Sequence, residues 1–300
     1  MKVLVLRGGA LGDFIVTLPM LGLLRARWPD AEIVLVGNAR AAALGQLGGY
    51  LHSVHSQHEA RWAALYDSAP LPSDLAAWLA TFDLVVNFWP DPESEIARRF
   101  PTRAGQVFLS GAAMPTVAPA ARHYCAALRP LGLATDDFRS RLALPSPGLF
   151  APATAAPIAI HPGSGSPQKN WPLTRWAELC SRLQTQSPLL IVGGEADSAA
   201  VTALATYGTV VQNLPLPELA ARVAASRLFL GHDSGVSHLA AAVGTCCVLL
   251  FGPTAPEIWA PPGEHVHVLR RTNELATLTV EEVFMAARVR LDSPSCTDAV

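Results

Sequence analysis

The sequence predicts two doubly wound α/β domains in tandem. Three observations predict it: short apolar strand patterns alternate with helical ones, the strands run into glycine- or serine-rich turns, and a proline-rich stretch parts the chain at its midpoint. Three hundred residues also exceed what one hydrophobic core ordinarily serves.

Residues 2–6 read as an apolar strand, 7–12 as a glycine-rich turn and 14–27 as a helix ending at Trp28-Pro29. Residues 32–36 form the next strand, closed by Gly37-Asn38, so the series is a βαβ unit and implies a parallel sheet with a right-handed crossover. Residues 39–80 are alanine-rich and mainly helical, with a break at Pro70 and Pro72, and 83–88 form another buried strand. Four prolines in residues 145–157 mark the domain boundary. The expected division is an N-terminal domain at 1–145, a linker at 146–157, a C-terminal domain at 158–291 and a frayed tail at 292–300.

Alternation restarts after the linker. Strands are expected at 158–161, 188–192, 209–212, 227–230 and 245–251. Helices are expected at 174–185 with Thr174 as N-cap, at 197–205, at 216–225, and at 236–243, where Gly244 stops the chain. Thr279 and Glu282 have capping-box spacing and open a last helix that runs to about residue 291.

Composition narrows the function. Half the chain is apolar and 15% is charged, which excludes a disordered scaffold. The formal charge is -2; the first half holds 13 basic and 12 acidic groups and the second 9 and 12, so neither carries the excess that wrapping nucleic acid requires. The longest uncharged apolar runs, 14–24 and 239–252, fall short of the about 18–20 residues of a spanning helix. Arg7, Gly8-Gly9, Asp13 and Pro19 interrupt any signal-peptide core, so the chain reads as cytoplasmic. Five cysteines, odd in number and without CxxC spacing, read as reduced, mostly buried thiols.

In doubly wound sheets ligands sit at the carboxyl ends of strands, and four post-strand loops carry chemistry. The first, residues 7–13, places Gly9 and Gly12 for close backbone approach and Asp13 at a helix opening, as a cap or as a functional carboxylate. Its GGxxG spacing and Asn38 fit a dinucleotide fingerprint poorly, which weakens an oxidoreductase reading. The second, residues 161–172, combines backbone donors around Ser164 with the point charge of Lys169. The third puts Glu195 after Gly193-Gly194, as a ribose-binding acid or a first-turn helix acid. The fourth, residues 231–240, offers Ser234 and Gly235 N–H groups at a helix N-terminus, with His238 in its first turn. There Asp233 would repel a phosphate, so it orients a neighbour or the nest. One half supplies phosphate and ribose contacts and the other a lone carboxylate, the division that glycosyl transfer from a nucleotide sugar needs.

The segments LRGGALGDFIVTLPMLGLLRARWP, IAIHPGSGSPQKNWPLTRWAEL and GHDSGVSHLAAAVGT with the following LFGPT resemble glycosyltransferase family 9, the heptosyltransferases of the lipopolysaccharide inner core. The resemblance implies a GT-B architecture: two Rossmann-like domains facing across a cleft, the first for the acceptor and the second for the nucleotide sugar. It implies an inverting, metal-independent transfer from ADP-heptose, with no cofactor and an anionic glycolipid acceptor. A monomer associating peripherally with the inner membrane is the expected state. Asp13 matches the family's general base, Lys169 the lysine near the donor phosphates and Glu195 the ribose acid; Asp233, Ser234, Gly235 and His238 match its phosphate-side motif. Another nucleotide sugar or acceptor, or a sugar-nucleotide epimerase of the same fold, is the alternative.

Residues 39–145 hold no segment that aligns securely with the family, and there Arg98, Arg99 and Arg103 form a basic cluster that either grips acceptor phosphates or is a solvated helix face. Asp91-Pro92-Glu93 reads as a surface turn. His52, His55 and His58 would share a metal only on a helix, and no carboxylate or cysteine completes a site at matching spacing.

Overall fold

The computed structural model describes residues 1–101, 103–143 and 156–292. The chain divides into two units, Met1–Phe138 and Arg139–Val300. The division falls earlier than the prolines suggest: Leu142 already donates its N–H to Ala242 O at 2.8 Å. Of the expected linker, residues 146–155 lie outside the described residues, as do 293–300 of the expected tail.

The first unit runs β1 (Lys2–Arg7), α1 (Leu11–Ile15), α2 (Leu18–Arg27), β2 (Glu32–Gly37), α3 (Ala39–Leu47), β3 (Ser53–Ser56), α4 (Ser73–Leu79), β4 (Leu84–Asn87), α5 (Glu95–Arg99), β5 (Val107–Ser110) and α6 (Ala120–Ala126). Its strands pair in parallel in the order β3-β2-β1-β4-β5. The chain reverses its direction of winding at β1, so the crevice between β1 and β4 at their carboxyl ends is the topological switch point. The single helix expected over 14–27 is two helices, because Pro19 has no N–H for the Ile15 carbonyl and its ring would crowd that carbonyl. Pro19 instead occupies the first turn of α2, where a missing N–H costs nothing.

The second unit runs β6 (Ile158–Ile160), α7 (Leu173–Leu183), β7 (Leu189–Gly193), α8 (Ser198–Leu204), β8 (Thr209–Gln212), α9 (Leu216–Ala224), β9 (Leu228–His232), α10 (Gly235–Ala242), β10 (Cys247–Leu250), α11 (Pro256–Trp259), β11 (Val266–Leu269) and α12 (Val280–Leu291). Its parallel sheet has the order β11-β10-β9-β6-β7-β8, with the switch point at β6 and β9. Trp171, Trp176, Leu179 and Leu183 pack with Ile158, Ile160 and Val283 in a core that presses α7 and α12 on one face of the sheet. The capping box of α12 forms as expected, Thr279 Oγ1 accepting the Glu282 N–H while the Glu282 carboxylate accepts the Thr279 N–H. Helix α7, however, is capped at Pro172 rather than Thr174.

Cys125, Cys180 and Cys247 are free and buried, and burial pushes the first two thiols up to about 12. Cys246 corrects the all-thiol expectation: it is disulfide-bonded. Among the described residues no helix is long and apolar enough to cross a membrane.

Candidate functional site

In the second unit the loops after β6, β7 and β9 meet at the switch point. Lys169 Nζ donates to Asp233 Oδ2 at 2.8 Å, joining the loop after β6 to the loop after β9. Asp233 is almost wholly buried, whereas the Lys169 side chain keeps 30% of its surface in solvent. Ser234 caps α10, its Oγ accepting the Ser237 N–H at 3.3 Å. Gly235 opens the helix, and His238 is buried in its first turn, its N–H donated to Ser234 O. Lys169, Asp233, Ser234, Gly235 and His238 therefore come together as the spacing suggests.

Two histidines that the sequence reading passed over hold this cluster. His161 Nε2 is 3.2 Å from Asp197 Oδ2, and its Nδ1 is 3.4 Å from Ser234 Oγ, so the ring ties the loop after β7 to the cap of α10. Burial works against the Asp197 carboxylate, but the hydrogen bonds from His161 and from the Gly194 N–H outweigh it and hold its pKa below the usual range. The fit is tight: a Cβ on Gly163 would lie 1.7 Å from Asp197 Oδ1, so only glycine is accommodated there. His232 is fully buried, its Nε2 accepting the Trp171 N–H at 2.9 Å and its Nδ1 directed at Gly163 O at 3.1 Å. Burial holds this ring neutral, lowering its pKa to about 4.

Two expected donor contacts are placed differently from the rest. Glu195 stands exposed at the start of the 3₁₀ turn after β7, with its carboxylate open to solvent. Ser164 is drawn into its own loop, its Oγ 2.7 Å from Asn170 Oδ1 and 2.7 Å from Ser166 O.

In the first unit Asp13 caps the helix it opens. Its Oδ2 accepts the Ala10 N–H at 2.9 Å and caps α1, while its Oδ1 accepts from Arg7 Nη2 at 2.9 Å. Arg7 is almost fully buried, donates to Tyr124 Oη at 2.8 Å as well, and stacks over that ring at 4.6 Å. The Asp13 side chain keeps 29% of its surface exposed. Gly9 has φ +107°, which permits the tight turn, and a Cβ there would meet Asp13. Gly12 lies within α1. Arg7 precedes the glycines and was visible in sequence; Tyr124 is 117 residues away and carried no local signal.

The arginine cluster is not one site. Arg103 pairs with Asp83, which precedes β4, and so lies at the amino edge of the sheet, opposite the end that holds Asp13. Arg99 donates to Ala64 O and Ala69 O, and Arg98 is exposed. Asp91 caps α5 by accepting the Ile96 and Ala97 N–H groups, consistent with a surface turn. His55 lies in strand β3 and pairs with Arg61 and Glu59, so the helical spacing that would gather His52, His55 and His58 does not arise. Among the described residues no group of three or more histidines, cysteines or acids is placed to hold a metal ion.

Known proteins resemble this chain in sequence and in fold. The chain is 31% identical over 124 residues to lipopolysaccharide heptosyltransferase 2 of Escherichia coli (strain K12), a match covering 38% of this chain and only 36% of that protein's length. The solved glycosyl transferase family 9 structure from Veillonella parvula DSM 2008 superposes with TM-score 0.78 at 20% identity, covering 97% of each chain. The E. coli heptosyltransferase WaaC with ADP superposes with TM-score 0.75 at 20% identity, covering 97% of this chain and 100% of that one. These last two likenesses establish the two-sheet GT-B fold. The family model for glycosyltransferase family 9 (heptosyltransferase) matches residues 116–286, more than half of the sequence and all of the loops gathered at β6, β7 and β9, and the chain belongs to that family.

Proposed function

We propose that the protein is an inverting, metal-independent glycosyltransferase that moves a heptose from ADP-heptose to an inner-core lipopolysaccharide acceptor. The observation that carries this reading is the convergence of Lys169, the Ser234-capped start of α10 and His238 at the switch point of the second sheet. A cation and a helix N-terminus in one crevice suit a diphosphate, and both gain strength as negative charge grows on a departing ADP. The exposed Glu195 suits the ribose hydroxyls, with His161 and Asp197 acting behind it as a brace.

In this reading Asp13 is the general base. It takes the proton of the acceptor hydroxyl as that oxygen attacks the anomeric carbon from the face opposite the diphosphate. The carbon–oxygen bond to the phosphate breaks, ADP leaves with the electron pair, and the configuration inverts. Arg7 holds one carboxylate oxygen of Asp13 and the Ala10 N–H fixes the other, so the carboxylate is placed before substrate arrives.

A thermal-shift panel of ADP, UDP, GDP, dTDP and ADP-heptose tests the donor, since a true ligand raises the melting temperature by mass action. ADP and ADP-heptose are expected to stabilise the chain most. Stabilisation by another nucleotide alone overturns the donor assignment, and conversion of the nucleotide sugar without any acceptor identifies an epimerase instead. Turnover that collapses on chelation with EDTA overturns metal independence.

A further inference from the structure

The first unit holds an open pocket of about 450 Å³ at the carboxyl edge of its sheet, within the roughly 300–1,000 Å³ of small-ligand sites. Its wall is aromatic and apolar: the exposed Tyr66 ring, Ala60, Ala63 and Pro90, and the edges of the buried Trp62 and Trp89. Its polar groups are Gln57, His58 and Glu59. Gln57 Oε1 itself is buried beneath the pocket surface, without a hydrogen-bond partner.

The pocket adjoins the turn that positions Asp13. A Cβ on Gly8 would lie 3.2 Å from Gln57 Oε1 and 3.7 Å from Trp89 Nε1, and the neighbouring Gly9 lies against Asp13. Trp89 follows β4 and Gly8 follows β1, so this is also the switch-point crevice of the first sheet.

Charge decides what fits. No lysine or arginine lines the pocket. The nearest one in sequence, Arg61, is stacked 4.2 Å from the Trp62 ring and paired with Glu59 at 3.0 Å. The recess on the other side of Tyr66 is lined by Asp91, Glu93 and Glu95. Beyond it Arg98 and Arg99 face Asp67 and Glu95, and Arg99 is already bound to two backbone carbonyls. A carboxylate or phosphate entering here would be desolvated beside acids with no cation to receive it. An uncharged sugar ring would lay its C–H face on Tyr66 and the tryptophan edges and would need no cation.

We propose that this pocket receives the acceptor as an uncharged sugar ring, and that any anionic groups of the acceptor lie outside it. The proposal rests on the transferase reading above, for it makes the pocket the place from which a hydroxyl reaches Asp13.

The test uses the full chain and two probes of one shape, methyl β-D-glucopyranoside and methyl β-D-glucuronide, titrated by tryptophan fluorescence with ligand-observed NMR as a second readout. The neutral ring should bind at least about tenfold more tightly than its carboxylate analogue. Tyr66→Ala, which removes an exposed ring, and Ala63→Trp, which fills the pocket from an exposed position, should each weaken the neutral probe about fivefold or more. ADP affinity measured in the same variants should not change. Equal or tighter binding of the glucuronide, no binding of either probe, or an Ala63→Trp chain that binds the neutral ring as before overturns the proposal. ADP binding without ring discrimination sinks the pocket and leaves the transferase reading standing. Ring discrimination without ADP binding does the reverse.

Discussion

Lys169 Nζ and Asp233 Oδ2 lie 2.8 Å apart, so the cation at the proposed diphosphate site is held by an acid from the neighbouring loop. The pair has a division of labour: the lysine provides charge, and the more deeply buried aspartate fixes where that charge sits. Lys169→Met should therefore weaken ADP binding about tenfold or more, as expected when a charge-assisted contact to phosphate is lost. Asp233→Asn should keep ADP binding within about threefold while lowering kcat, because the ammonium remains but is no longer aimed. Calorimetric titration with ADP and steady-state kinetics separate the two effects. An unchanged dissociation constant in Lys169→Met removes the lysine from the site.

Asp13 serves α1 as a cap and Arg7 as a counter-charge, so an alanine there confounds structure with chemistry. Loss of the cap alone costs about 0.5–2 kcal/mol, and the buried guanidinium would lose its carboxylate as well. Asp13→Asn keeps an oxygen for the Ala10 N–H but cannot take a proton. It should bind ADP normally, melt below the parent chain because Arg7 loses its counter-charge, and lose about 10²–10⁴ in kcat. Parent-like turnover in Asp13→Asn would end the assignment of Asp13 as the base.

The fold was legible where strands are buried on both faces and, apart from the edge strand β8 at its expected 209–212, hidden where they are not. β1, β2, β4, β6, β7, β9 and β10 are short apolar runs, and each lies within or beside its expected place. β3, β5 and β11 escaped because they are edge strands, four residues long and half-exposed, so no continuous apolar run betrays them. Among the site residues the same logic holds. Lys169, Ser234 and His238 follow strands in glycine-rich loops and stand out, whereas Asp197 reads as an ordinary helix-opening acid until the fold brings His161 to it. Tyr124 reaches Arg7 only through tertiary packing, and the arginines at 98, 99 and 103 look like a cluster only because sequence distance ignores the two edges of a sheet.

Gly163 tests the brace between loops. The would-be Cβ lies 1.7 Å from Asp197 Oδ1, a contact relieved only by turning the Asp197 side chain away from His161 or by moving the loop after β6 or the turn that carries Glu195. Gly163→Ala should destabilise the chain by about 1–3 kcal/mol and raise the KM for the nucleotide sugar more than it lowers kcat. His161→Asn retains a donor of shorter reach and should show the same pattern more weakly than His161→Ala. Urea denaturation and a kcat and KM split check both, and a Gly163→Ala chain with parent-like KM shows that the brace does not position the ligand.

His232 makes stability depend on pH in a window set by its own burial. The ring is wholly buried and held at about 4, against an ordinary value of 6.5, because desolvation disfavours the imidazolium. Between those values the unfolded chain binds a proton that the folded chain refuses, so unfolding becomes easier as pH falls. The contribution is fully present above pH 6.5 and is lost progressively towards pH 4, at most about 3 kcal/mol in all. Asp197 acts lower: its depressed pKa means that its contribution is intact above the usual carboxylate range and disappears only on further acidification. His232→Gln, which cannot titrate but can still accept from the Trp171 N–H and donate to Gly163 O, should be less stable at pH 7 yet show a flatter slope between pH 6.5 and 4.5. Urea midpoints measured across that interval for the parent and the variant decide the matter, and parallel slopes would assign the acid sensitivity to the carboxylates instead.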